Sequence, residues 1–134
     1  MSTATVTYLG GLRTENTHNR SGASYLTDAP LDNNGQGAAF SPTDTVATGL
    51  ANCMLTIMGI KARDMELDLS GSVAQVTKTM AANPRRISHI AIQLDMAAGI
   101  DPRSQEVLER AGLNCPVMHS IHPDIETDIQ FRWK

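Results

Sequence analysis

Two residues of this 134-residue chain carry the side chain best suited to redox chemistry, Cys53 and Cys115. A thiolate attacks peroxides, disulfides and other soft electrophiles, and its availability is set by the thiol pKa. Cys53 sits in the middle of the apolar run FSPTDTVATGLANCMLTIMGIKA, Phe40 to Ala62, and Cys115 opens the segment NCPVMHSI. A mid-helix cysteine gains nothing from its own helix dipole, because the nearby N–H groups are already bonded. Apolar surroundings raise its pKa. Reactivity at Cys53 therefore requires a cation brought from elsewhere. Cys115 stands differently: Asn114-Cys115-Pro116 predicts a helix start, where free N–H groups and the dipole favour thiolate. The alternative for both is an inert, buried thiol, the usual fate of a cysteine. Cys115, His119 and His122 share i, i+4, i+7 spacing, which resembles a metal-ligand face. Only three ligands are present and no Cys-x-x-Cys accompanies them, so no metal or other cofactor is expected.

The elements that must position these thiols are legible in outline. Thr5 to Leu9 alternates as a strand, broken or bent by Gly10-Gly11, and Ala23 to Thr27 reads as a second short strand before Asp28-Ala29-Pro30. Leu31 to Ala39, rich in Asn and Gly, is a loop. Ser41, Pro42 and Asp44 form the start signal of a helix, a capping box with proline at the first position. That helix is apolar on nearly every face, from Val46 to Ile60, and belongs inside a molecule. Val73 to Lys78 and His89 to Met96 alternate as strands joined around Asn83-Pro84. Asp101-Pro102 starts a helix stopped by Gly112, and Asn114 caps a short helix ending before Pro123. Ile125 to Trp133 alternates as a half-buried strand of antiparallel type. This order is α+β. A helix apolar all round needs cover on both sides, and one small sheet covers one; a homodimer supplies the other.

Composition narrows the function classes. The length suits one domain, residues 1–134. A net charge of -3 argues against nucleic acid or an anionic membrane as the main partner. No stretch of about 18 apolar residues predicts a membrane span. The N-terminus MSTATVTYLGG lacks the basic and apolar runs of a secretory signal, which points to a reducing cytoplasm, where a transient disulfide fits better than a structural one.

The stretch SPTDTVATGLANCMLTIMGIKA, the upstream TDAPLDNNGQGAAFSP and the later NCPVMHSI resemble the OsmC/Ohr family of thiol peroxidases, over nearly the whole chain and in the right order. The resemblance is nearest to the branch with an SPTD motif. It implies an intertwined α+β homodimer, with antiparallel sheets packed around the buried cysteine helix and two active sites at the interface. It also implies two-cysteine reduction of organic hydroperoxides, with recycling by an external dithiol such as a lipoyl group. Matched residue by residue, Cys53 is the peroxidatic cysteine and Cys115 the resolving one. The family arginine that faces the thiolate is matched by Arg13 in Gly10-Gly11-Leu12-Arg13, one residue longer than the family's G-G-R, with Arg20 as the second candidate.

One departure stands out. The family glutamate that orients this arginine opens the central helix in an N-P-E motif, and here that position is Thr43, followed by Asp44. The departure favours a rival of another class, a protein of the same fold that binds small apolar ligands or serves in stress with little peroxidase activity. The paired cysteine motifs favour the enzyme.

Overall fold

Three antiparallel strands precede the long helix: β1 (Ala4–Gly10), β2 (Arg13–His18) and β3 (Ser24–Asp28), in the order β1-β2-β3. The computed structural model describes residues 1–134. Gly10, Gly11 and Leu12 all take positive φ, at 80°, 62° and 64°. The two glycines do so without a Cβ penalty, and the chain reverses there into β2 rather than merely bending. Strand β2, RTENTH, contains no apolar residue, so no alternation announces it; its ladder to β1 and β3 makes it a strand. A single turn of 3-10 helix at Leu31–Asn33 interrupts the expected loop. Thr27 bridges to Phe40 in parallel.

Helix α1 (Pro42–Asp64) begins as the sequence predicts. The Asp44 N–H donates to Ser41 Oγ at 3.1 Å and the Ser41 N–H donates to Asp44 Oδ2 at 2.9 Å, which closes the capping box. Ala47, Leu50, Ala51, Met54, Met58 and Ala62 form its buried stripe. The apolar content extends beyond that stripe: Val46 and Ile60 are each 45% exposed, and Cys53, Leu55 and Ile57 are half-buried. By length and composition α1 reaches what a membrane span requires, with a mean hydropathy of 1.2, contrary to the sequence expectation. Its buried stripe belongs to a protein core.

The chain divides into two compact units, Met1–Val46 and Ala47–Lys134. In the second, β4 (Val73–Ala81) and β5 (Arg86–Met96) form the expected antiparallel hairpin, followed by α2 (Pro102–Leu113) and β6 (Glu126–Trp133). Here one expectation is corrected. Strand β6 lies parallel to β5, in the order β4-β5-β6, with His89 opposite Glu126 and Met96 opposite Trp133. Alternation reports a half-buried face and says nothing of direction. The crossover through α2 brings the chain back to start β6 at the same end as β5. Gly112 also does something other than stop α2. The helix runs on to Leu113, and a Cβ at Gly112 would stand 2.8 Å from Met58 Sδ. The glycine lets α2 approach α1 closely. The core joins the α1 stripe to Ile90, Ile92, Leu94 and Met96 of β5, Leu108 of α2, and Cys115.

Candidate thiol site

Cys53 and Cys115 lie 3.8 Å apart, both as free thiols. Helix α1 holds Cys53 half-buried against the edge of the core, whereas Cys115 is fully buried within it. The position of Cys115 follows from the end of α2. The Asn114 N–H donates to the Ala111 carbonyl and the Cys115 N–H to the Gly112 carbonyl, each at 3.2 Å, and Asn114 Nδ2 donates to the Arg110 carbonyl at 2.9 Å. Asn114 thus closes α2 rather than opening another helix. The following residues form successive turns, with the His119 N–H on the Cys115 carbonyl at 3.3 Å and the Ile121 N–H on the Val117 carbonyl at 3.1 Å. The expected short helix is absent because so few residues between Pro116 and Pro123 do not offset the cost of nucleation. Val117, Met118 and Ile121 pack instead against the core and seat the thiol beneath them.

Burial pushes the Cys115 thiol above its ordinary pKa, and the adjacent Cys53 raises it further by hydrogen bonding and charge. The N–H groups of Met118 and Val117 pull the other way and lose. The sequence placed helix-type donors at this sulfur correctly in kind, but the thiolate it expected there is overturned by desolvation.

Arg13 opens β2 and stands directly across the ladder from Asp28 of β3. Its Nη2 is 3.7 Å from Asp28 Oδ2, with the Arg13 side chain 40% exposed and that of Asp28 1%. The same Oδ2 accepts the Ala38 N–H at 2.9 Å, and the buried Oδ1 makes no hydrogen bond within the chain. The sequence reading ended the short strand at Thr27, just before Asp28; recognising polar β2 as a strand was the signal that would have paired Asp28 with Arg13. Arg20 lies in an exposed turn after β2. The Thr43 hydroxyl is 3.2 Å from Ser41 Oγ at the helix start. No three His, Cys, Asp or Glu side chains gather as a metal site. His122 Nδ1 accepts the Asp124 N–H at 3.0 Å.

Two three-stranded sheets and two helices, with one cysteine just past the end of α2 and the other in the middle of α1, define a thiol-bearing α+β protein. The model of the OsmC-like protein family matches residues 35–130, and the chain belongs to that family. A crystal structure from Psychrobacter arcticus, described as an osmotic stress induced and detoxification response protein, is 52% identical, covers 98% of this chain and 96% of its own, and superposes with a TM-score of 0.95. The organic hydroperoxide resistance protein OsmC of Legionella pneumophila is 17% identical, with 98% and 97% covered and a TM-score of 0.75. OhrB of Bacillus subtilis, an organic hydroperoxide resistance protein, is 16% identical, with 98% of each chain covered and a TM-score of 0.70. No curated protein matches the sequence.

Proposed function

We propose that this protein is a thiol peroxidase that reduces organic hydroperoxides through Cys53 and Cys115. The observation that carries the reading is the pair itself: two free thiols 3.8 Å apart, one partly accessible and one fully buried. Accessibility makes Cys53 the residue that meets the peroxide. Its thiolate attacks the outer oxygen, the O–O bond breaks, and the alkoxide takes a proton and leaves as alcohol. Cys53 is then a sulfenic acid. Cys115 gives up its proton as its sulfur attacks the Cys53 sulfur; the S–O bond breaks and the departing hydroxide takes that proton and leaves as water. An external dithiol, such as a lipoyl group, reduces the disulfide by exchange. Arg13 is the cation proposed to hold Cys53 as thiolate.

The working form is a homodimer in a reducing cytoplasm. Supporting this are the open apolar side of α1 and the exposed Val6, Tyr8, Tyr25 and Leu26 of the first sheet, which a second copy would cover. The descriptions of the relatives, detoxification response and hydroperoxide resistance, fit the same chemistry.

The test is a thiol count with 5,5′-dithiobis(nitrobenzoate) before and after one equivalent of cumene hydroperoxide. Loss of both thiols without covalent oligomers is the expected result, abolished by Cys53→Ser. In Cys115→Ser, dimedone should trap one sulfenic acid. Two thiols that survive the peroxide would instead favour a ligand-binding protein on the same fold.

A further inference from the structure

We infer that Gly112 is the positioning residue for Cys115: its missing side chain seats the end of α2 against Met58 of α1, and that contact sets the reach of Cys115 to Cys53. This deepens the proposed peroxidase reading, on which it rests, by assigning a residue to the disulfide-closing step. In that step the Cys115 sulfur bonds to the Cys53 sulfur, the S–O bond of the sulfenic acid breaks, and the departing hydroxide takes the Cys115 proton and leaves as water.

Gly112 is not a conformational glycine. It lies inside α2, just before Leu113 ends the helix, and it is not among the glycines with positive φ. Glycine in a helix is less favourable than alanine, so its place there has a packing reason. A Cβ at Gly112 would stand 2.8 Å from Met58 Sδ, 3.0 Å from Met58 Cγ and 3.7 Å from Met54 Cε, against about 3.5–4.0 Å for an ordinary contact. Gly49 and Gly59 of α1 show the contrast, since a Cβ at either meets nothing within 4 Å. Met58 has little room to step aside, because Met54, Met58 and Leu108 are fully buried in one close-packed cluster. Added volume there drives backbone shifts, on the order of 1 Å for a contact this short. Two links carry such a shift to the thiols. The Cys115 N–H donates to the Gly112 carbonyl at 3.2 Å, and on α1 Met54 directly follows Cys53, with Met58 one turn further on. All of these residues belong to the second unit. The thiols stand 3.8 Å apart and a disulfide needs about 2.05 Å, so closure has less than about 2 Å to travel. A displacement of about 1 Å at the end of α2 is a large fraction of that path.

The experiment measures the Cys53–Cys115 disulfide in the full chain in two ways. Graded mixtures of reduced and oxidised glutathione give its effective concentration without peroxide: the two thiols pass two electrons and two protons to one oxidised glutathione, which leaves as two reduced molecules. One equivalent of cumene hydroperoxide, with dimedone present, separates sulfenic acid formation at Cys53 from closure. Gly112→Ala should lower the effective concentration and slow closure by about tenfold to a hundredfold, the scale of a misplacement near 1 Å, while sulfenic acid forms within about twofold of the wild-type rate. Dimedone then captures Cys53 although Cys115 is present. Met58→Ala, which removes the floor beneath Gly112, should also lower the effective concentration. The double variant Gly112→Ala/Met58→Ala, whose new methyl occupies the vacated space, should recover most of it, whereas merely structural damage would compound. Closure unchanged in Gly112→Ala, both steps slowed alike, or no recovery in the double variant overturns the inference. If Gly112→Ala alone does not fold, the double variant is compared with Met58→Ala: a higher effective concentration supports the contact, and an equal or lower one overturns it. A wild-type chain that forms the disulfide with glutathione but ignores peroxide overturns the peroxidase reading, and the glutathione measurements still decide the role of Gly112.

Discussion

The two units of this chain bury opposite kinds of residue. Every fully buried hydrophobic side chain, from Ala47 to Cys115, lies in the second unit, whereas the first buries only Thr27, Asp28 and Ser41, all polar. The first nevertheless carries Val6, Tyr8, Leu9, Leu12, Tyr25 and Leu26, all exposed. One unit is organised by water exclusion and the other by hydrogen bonding and an ion pair. The contrast teaches that the first sheet keeps its shape through backbone pairing and a few buried polar contacts while its apolar side chains stay exposed in the single chain.

The largest effect should come from the second unit. Leu94→Ala deletes a fully buried side chain of β5 and should cost about 2–5 kcal/mol of stability, read as a shift in the urea midpoint. A loss under 1 kcal/mol would break the assignment of the core to this unit.

Tyr25→Ala sharpens the other half of the comparison. Tyr25 lies beside Asn16, which stands between it and Val6 in the sheet register, and it is 53% exposed in the single chain. An exposed residue changes stability by less than about 0.5 kcal/mol, whereas an aromatic anchor of an interface costs about 2 kcal/mol or more of association. Sedimentation at micromolar concentration should show a dimer for the wild type and partial dissociation for the variant. A dimer constant untouched by Tyr25→Ala would remove this face from the interface.

The smallest effect is one of pH. Burial raises the Cys115 pKa, so the folded chain holds this proton more tightly than the unfolded chain. Below the ordinary thiol pKa of about 8.5 both states keep it and the contribution is complete. As pH rises beyond that value the unfolded chain releases the proton first, and stability falls until the folded pKa is reached. Urea unfolding between pH 7 and 10 should show this decline, and Cys115→Ser should lack its thiol component.

How much of this was visible in the sequence follows from which signals are local. The capping box at Ser41 and Asp44, the run of α1 and the β4–β5 hairpin rest on neighbouring residues, and the structure has them where they were expected. The pairing of Cys53 with Cys115 was legible through family resemblance, and the structure brings them together. What escaped was set by partners distant in the chain. Strand β2 has no apolar residue to betray it; only its neighbours make it a strand, and with it went the pairing of Arg13 with Asp28. The parallel direction of β6 depends on the α2 crossover. The pKa of Cys115 depends on burial beneath Met118 and its neighbours, which outweighs the local N–H groups that the sequence could count.

The distance between the thiols along the chain has a consequence of its own. If Cys53 and Cys115 join, they close a covalent ring of about sixty residues that takes in both strands of the β4–β5 hairpin and all of α2. Such a ring strips the unfolded chain of freedom worth about 4 kcal/mol on chain-entropy grounds. Each turn of a redox cycle would then alternately tighten and release the molecule, and its melting temperature would be a gauge of how much of the protein stands oxidised.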